Sequence, residues 1–144
     1  MITVRRAAPE DAPAIQRLNK EGLGYDYPLE KTRALLDTLC GRTDQCILVA
    51  ELDGERVIGY VHLEDYQTLY FEPMKNVLGI AVFPEHRRRG AATRLLAAGE
   101  QWARETGAAG IRLNSGSTRE GAHAFYEQMG YVSSKLQKHF LKML

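Results

Sequence analysis

The stretch from Val77 to Leu96 constrains the fold of this chain more than any other, and it reads VLGIAVFPEHRRRGAATRLL. Its first part, Val77–Phe83, is an apolar run that predicts a buried strand, and Pro84 ends that run. A helix-forming segment follows Gly90. Because the first N–H groups of a helix have no partner within the helix and carry the positive end of its dipole, this strand, loop and helix predict an anion-binding site.

The loop between this strand and this helix carries a local positive charge. Arg87, Arg88 and Arg89 are consecutive, and Gly90 follows them. Glycine has no Cβ, so a bound phosphate can come close to the backbone there, and Ala92 is the next smallest choice. We therefore expect a diphosphate ligand. The alternative is a solvated basic loop that only caps a βα unit.

Composition limits the remaining classes of protein. The 144 residues fit one domain, 1–144, and 19 Lys and Arg against 18 Asp and Glu give no overall field that would hold nucleic acid or an anionic membrane. The chain start lacks the apolar region of a signal peptide, and no apolar stretch reaches the length of a membrane span, so a cytoplasmic protein is expected. Cys40 and Cys46 match no redox or zinc spacing. We expect free thiols, no disulfide and no metal.

The rest of the chain predicts alternating helices and strands, with no repeat or linker that would divide it. The expected order is βααβββαβαβ, an α/β domain with a mixed sheet. The first half of the chain predicts a strand at Ile2–Arg6, a helix from Pro9, a helix at Leu29–Leu39, and strands at Cys46–Glu51 and Val57–Leu63 that an Asp53-Gly54 hairpin turn joins. The central strand and its helix, which ends at Gly107, come next, and a strand at Gly110–Leu113 follows them. The last predicted elements are a helix near Thr118, capped by Ser117 and Glu120, and one or two terminal strands through His139, Phe140 and Leu141.

Two motifs in this chain resemble those of the GNAT superfamily of N-acetyltransferases. Arg87, Gly90 and Ala92 match the spacing of its acyl-CoA signature, Q/R-x-x-G-x-G/A. The segment AHAFYEQMGY, Ala122–Tyr131, is similar to the family's A-x-x-F-Y-x-x-x-G-F/Y. The order of elements is similar to that family over essentially the whole chain. The resemblance implies a single-domain GNAT-like fold, in which about four helices flank a central mixed, mostly antiparallel sheet.

The resemblance also implies acetyl-CoA as co-substrate and assigns residues to it. The backbone of the central strand would pair with the pantetheine arm, and one N–H would face the thioester carbonyl, where negative charge develops during attack. The loop and first helical turn would cradle the pyrophosphate. Arg119 stands where many members have Asn, and Ala91 where a larger aliphatic residue is common. The implied cofactor-binding residues are Ile80, Ala81, Val82, Arg87, Arg88, Arg89, Gly90, Ala91, Ala92, Thr93 and Arg119.

The same resemblance implies that Tyr126 donates a proton to the departing CoA thiolate. The alternative is a core tyrosine packed beside Phe125 and Met129. The amine needs a general base, and we rank Glu64 first among the acids and histidine near the central strand. The other candidates are Asp65, Glu72 and His62, while His86 and His123 are expected to contact phosphate or solvent.

Three classes of function follow. The first is an enzyme that transfers acetyl from acetyl-CoA to a primary amine, with a small-molecule or peptide amine as partner and a homodimer among the open oligomeric states. The second is a non-catalytic acyl-CoA sensor. The third, a nucleic-acid-associated protein, is disfavoured because charge is near zero and no aromatic stacking motif lies beside the arginines. An aromatic acceptor pocket is open to Tyr25, Tyr27, Tyr66, Tyr70 and Phe71, for which the alternative is partly buried packing.

Overall fold

The computed structural model describes all 144 residues. Contacts between Cα atoms separate two compact units, Met1–Leu113 and Asn114–Leu144, which we describe one at a time. Besides three short 3-10 or π segments, the first unit holds five strands and three α-helices. They are β1 (Ile2–Arg6), α1 (Ala12–Leu18), α2 (Leu29–Cys40), β2 (Gln45–Leu52), β3 (Arg56–Thr68), β4 (Phe71–Val82), α3 (Ala91–Glu105) and β5 (Ile111–Leu113).

The strands form one sheet in the order β1-β2-β3-β4-β5. The first three pairings are antiparallel, and β5 runs parallel to β4. This is the expected α/β fold with a mixed, mostly antiparallel sheet, so the predicted fold class is confirmed. The assignment of residues 1–144 to a single domain stays a prediction.

The turn between β2 and β3 is where the sequence predicted it. Asp53 and Gly54 both have positive φ, 54° and 70°. Two successive residues with positive φ give the twist that joins antiparallel strands, and an Asp-Gly pair tolerates it best. Leu52 and Arg56 then pair across the turn.

The next hairpin is longer than predicted. The sequence pattern predicts one strand that ends at Leu63 and a central strand that begins at Val77, whereas β3 continues to Thr68 and β4 begins at Phe71. Charged and polar pairs across the two strands account for the extra length. Asp65 lies opposite Lys75, and Glu64 lies opposite Asn76, each in hydrogen-bond contact. Such cross-strand pairs stabilise a ladder without the apolar run on which the prediction relied.

The two faces of the sheet alternate along β3 because successive side chains point to opposite sides. Tyr60 packs into a core with Ile15, Leu18 and Leu36 of α1 and α2. On the other face, a Cβ built at Gly99 of α3 would lie 2.9 Å from Leu63. The even-numbered residues of β3 from Tyr60 to Tyr66 therefore share the α1 and α2 side, and the odd-numbered ones face α3.

The second unit contains α4, Glu120–Gln128. Its predicted capping by Ser117 is wrong, since the helix begins at Glu120 with Arg119 as N-cap and no side-chain cap. The preceding residues form a turn instead, in which the Arg119 N–H donates to Gly116 O at 3.0 Å.

The predicted terminal strands are also absent. No strand follows α4, and Phe140 and Leu141 are 87% and 74% exposed. A strand needs a partner for its backbone groups, and strand-forming residues alone do not supply one.

Candidate functional site

One backbone edge of β4 is open over its last residues. β5 pairs with β4 only at Lys75, Asn76 and Val77. The last of these pairs is Val77 with Leu113, and after Val77 β4 pairs only with β3. We call the point where β5 leaves β4 the fork.

The hydrogen-bond pattern shows which groups face this open edge. The Phe83 N–H donates to Ile58 O at 3.0 Å, so Phe83 points its backbone groups toward β3. In an antiparallel ladder, consecutive residues alternate between the two sides. Ala81 therefore also faces β3, while the N–H and C=O of Ile80 and Val82 turn away from it. The two residues whose backbone was expected to meet a pantetheine arm present unpaired groups at the edge.

A bulge at the fork turns this part of β4. His62 pairs with Gly79 and Leu63 with Val77, which leaves Leu78 as an extra residue that is 51% exposed. A Cβ at Gly79 would lie 3.2 Å from the Tyr60 hydroxyl. Glycine therefore avoids a tight contact at the bulge, because the backbone passes close to a buried tyrosine.

The segment that follows, residues 84–90, is named the basic loop. A single 3-10 turn, Pro84–His86, is followed by Arg88 with φ 64° and Gly90 with φ 87°. Gly90 is the N-cap of α3, and its carbonyl accepts from the Arg94 N–H at 3.0 Å. No side chain caps the helix, so the first N–H groups of α3 lack a partner within the chain.

The charge of the basic loop is also unpaired. Arg87, Arg88 and Arg89 are all exposed, and none forms an ion pair. These charges and the positive end of the α3 dipole lie in consecutive residues, an arrangement that favours an anion, and the diphosphate ligand stays a prediction. His86, expected to contact phosphate or solvent, is instead 8% exposed, and its Nδ1 has no hydrogen-bond partner.

A polar row crosses the sheet at the fork. Glu64 on β3, Asn76 on β4 and Arg112 on β5 lie side by side in the register. Asn76 Nδ2 donates to Glu64 Oε2 at 2.9 Å, and Arg112 NH1 donates to Asn76 Oδ1 at 2.6 Å. No sequence motif indicates Asn76 or Arg112. Only the strand register could have found them, because the two residues are 36 positions apart.

The other proposed bases are placed less favourably. Asp65 faces α3, where it accepts from Lys75 Nζ at 2.5 Å, and Lys75 Nζ lies 4.0 Å from the centre of the Trp102 ring. Glu72 is exposed beside the β3–β4 turn. His62 leans toward β2, because its Nε2 lies 2.7 Å from Gln45 Oε1. Burial lowers the pKa of His62, and the charge of Glu64 opposes that effect only in part.

Tyr126 lies on α4 in the second unit. It is half-buried, with ring centroids 5.4 Å from Phe125 and 6.1 Å from Tyr131. Burial raises the pKa of its hydroxyl, although the Arg119 charge opposes this, so the group is protonated at neutral pH. His123 in the same unit has its Nε2 2.8 Å from the Gly116 carbonyl, rather than being free for solvent or phosphate.

The aromatic residues do not form the expected pocket. Four of the five are exposed, and no aromatic ring pair forms among them. Tyr66 alone is half-buried, where the Arg112 guanidinium lies 4.3 Å from its ring centre. Partly buried packing is equally wrong for the others: Tyr25 68%, Tyr27 50%, Tyr70 82% and Phe71 65% exposed.

Comparison with known proteins identifies the class to which this fold and site belong. Residues 12–131 match the acetyltransferase (GNAT) family. The chain belongs to this family, and it is an acyltransferase. The resemblance that the sequence suggested is thereby confirmed.

Similar proteins include two bacterial enzymes and a solved structure. The uncharacterized N-acetyltransferase YhfO of Bacillus subtilis (strain 168) is 32% identical over 136 residues, covering 90% of this chain and 89% of that protein. Aminoglycoside N(6')-acetyltransferase type 1 of Acinetobacter genomosp. 13 is 27% identical over 114 residues, covering 79% and 73%. The structure of AAC(6')-Iy with the bisubstrate analogue CoA-S-monomethyl-acetylneamine has a TM-score of 0.87 at 18% identity, over 100% of this chain and 99% of that one. In addition, no helix here is long and apolar enough to cross a membrane.

Proposed function

We propose that this chain transfers acetyl from acetyl-CoA to a primary amine by direct attack in a ternary complex. One observation carries the proposal: the open edge of β4 runs directly into a basic loop with three unpaired arginines and an uncapped helix N-terminus. An extended amide arm that ends in a pyrophosphate matches both features in chain order. Membership of the acetyltransferase family supports the same ligand.

The residues present fit acetyl-CoA. The outward backbone groups of Ile80 and Val82 would pair with the pantetheine amides, and one N–H would stabilise the oxyanion that forms on the thioester carbonyl. Arg87 to Thr93 would hold the pyrophosphate, with Gly90 allowing close approach. Arg119, exposed ahead of α4, would add a cation toward the phosphates. Acetyl-CoA itself supplies the activated acetyl group.

The chemistry needs a base and an acid. An amine arrives mostly as ammonium, and Glu64 would take one proton so that the nitrogen can attack. The C–N bond then forms and the C–S bond breaks, while Tyr126 gives its hydroxyl proton to sulfur. The nitrogen loses its second proton to solvent as the amide forms, and the Tyr126 phenolate regains a proton from solvent, so the protons balance. The raised pKa of Tyr126 keeps it protonated for this step.

The acceptor that fits is a cationic amine, which the acids near the central strand would attract. Lys75 and Arg112 offset part of the negative charge of these acids. Lys75 pairs with Asp65, and the Arg112 guanidinium is joined to Glu64 through the side-chain amide of Asn76. Aminoglycosides belong in the first set of acceptors to test, since one relative carries that activity in its name.

A thiol-release assay with acetyl-CoA and a broad amine library tests the proposal, with mass spectrometry of the products. We expect CoA release that depends on the amine and a product one acetyl group heavier. A thermal-shift panel with acetyl-CoA, CoA and a DNA duplex separates the alternatives. Stabilisation by acetyl-CoA without turnover of any amine would indicate a sensor, and stabilisation by DNA alone would overturn the acetyl-CoA assignment.

A further inference from the structure

The polar row at the fork holds one carboxylate in a fixed direction. Glu64 pairs with Asn76 across β3 and β4, and Asn76 pairs with Arg112 across β4 and β5. Paired residues on neighbouring strands share a face of the sheet. All three side chains are half-buried and lie on the side opposite α3.

The hydrogen bonds of the row can run in only one direction. Arginine only donates and a carboxylate only accepts, so Asn76 must turn its oxygen to Arg112 and its NH₂ group to Glu64. The distances, 2.6 Å and 2.9 Å, agree with that arrangement. An asparagine between two such partners cannot flip without losing both bonds.

Tyr66 restrains the far end of the row. It lies two residues after Glu64 on β3 and therefore on the same face. The Arg112 guanidinium lies 4.3 Å from the centre of its ring, a distance at which a cation is attracted to an aromatic face. The Tyr66 ring and the Asn76 amide together fix the orientation of Arg112. Arg112 in turn fixes the orientation of the Asn76 amide, which donates to Glu64.

The position of the row gives it a functional meaning. Asn76 and Arg112 form the next-to-last pair before β4 and β5 separate. The Glu64 carboxylate, which Asn76 draws toward β4, therefore lies one strand away from the start of the open edge. Resting on the function proposed above, we propose that Asn76 and Arg112 are positioning residues that aim the Glu64 carboxylate at the acceptor amine.

The competing explanation is that the row only stabilises the sheet. The molecule offers a matched case, because Asp65 and Lys75 form the next pair of the same ladder but face α3. A purely structural row should behave like that pair. Removing either would then lower stability, and any loss of activity would follow unfolding.

A double-mutant cycle separates the two explanations. Asn76→Leu keeps the strand and removes both hydrogen bonds, and we expect kcat/KM for the amine to fall about 10- to 100-fold. In the Glu64→Gln background the same change should cost less than about threefold, because a residue that acts through Glu64 has nothing left to aim. Arg112→Lys should lose less activity than Arg112→Leu, since it keeps a donor for Asn76.

The acetyl-CoA dissociation constant and melting temperature are measured for every variant, with Asp65→Asn as the matched control. We expect unchanged acetyl-CoA affinity throughout and an unchanged kcat/KM for Asp65→Asn. Losses that multiply in the double mutant, or a loss that tracks melting temperature, would overturn the positioning role alone. A wild-type chain that acetylates no amine would overturn the proposed function as well, so the two failures are distinguishable.

Discussion

The basic loop and the polar row are both charged, but the chain uses their charges in opposite ways. The three arginines of the loop have no ion-pair partner, and Arg88 adopts a positive φ that costs a non-glycine residue about 1 to 2 kcal/mol. In the row, Glu64 and Arg112 are joined through Asn76. Under the proposed function, the unpaired charge marks the basic loop as the region that binds the ligand. Unpaired charge and backbone strain are offset when an anion binds, whereas paired charge can only orient what lies beside it.

The largest effect is expected from a group that belongs to neither region. Tyr126→Phe should lower kcat about 10- to 1,000-fold and leave acetyl-CoA affinity within a few fold, because the hydroxyl acts only as the C–S bond breaks. The ring should stay packed, so the melting temperature should barely move. Single-turnover measurement guards against masking by slow product release. Full activity in the mutant would remove Tyr126 from the mechanism.

Replacing the three loop arginines tests whether unpaired charge serves binding. We expect Arg87, Arg88 and Arg89 changed together to Gln to raise the acetyl-CoA dissociation constant about a hundredfold, since charge-assisted hydrogen bonds to phosphate are lost. Stability should not fall, because these residues have no partner to lose. Arg104→Gln, at the other end of α3, is the control, and isothermal titration is the measurement. Equal affinities would show that the loop is only a solvated cap.

Glu64→Gln probes the paired charge. We expect kcat/KM for cationic amines to fall about 10- to 100-fold while acetyl-CoA affinity is kept, because no carboxylate then takes the proton of the ammonium group. Neutral amines should lose less, because they need no carboxylate to attract them. The role of Glu64 would be contradicted if neutral or carboxylate-rich amines were the best acceptors and their turnover were unchanged by Glu64→Gln.

Gly90→Val is expected to raise the acetyl-CoA dissociation constant about tenfold. A valine side chain would block close approach of the phosphates to the backbone. A Cβ at Gly90 meets nothing within 4 Å, yet φ is 87°, so valine also strains the backbone. Gly107 provides a matched control at the far end of α3, with φ 79° and the same open surroundings. Gly107→Val should lower stability alike and leave affinity unchanged, and equal affinity loss in both would assign the effect to strain.

Local signals predicted the parts of the fold that local chemistry decides. The strand at Ile2–Arg6, the Asp53-Gly54 turn and the helix start after Gly90 all depend on residues next to one another, and all are observed. The partners of Glu64 depend instead on strand register, which periodicity does not show. The predicted C-terminal strands failed for a related reason, since pairing requires a neighbour and not only suitable residues.

The smallest effect concerns a paired charge that belongs to neither region. Asp11 is 7% exposed, and it accepts from Arg5 at 2.8 Å and 2.9 Å and from the Ala8 N–H at 2.8 Å. Burial alone would raise the pKa of Asp11, but these hydrogen bonds outweigh it and hold the pKa below its usual range. A carboxyl with a depressed pKa stabilises the fold above its unfolded pKa of about 3.9 and loses that contribution as pH falls through the folded value.

Asp11→Asn should therefore cost about 1 to 3 kcal/mol of unfolding free energy at pH 7, and the gap to wild type should narrow below about pH 4. Urea unfolding at pH 7 and across the acid range measures it. Asp44→Asn is the control, because its pair with Arg42 is exposed and should contribute little. Acetyl-CoA affinity should not respond to either change. A fall in acetyl-CoA affinity in an Asp11→Asn variant that keeps wild-type stability would show that paired charges also serve binding. The contrast between the unpaired charge of the basic loop and the paired charge of the polar row would then be wrong.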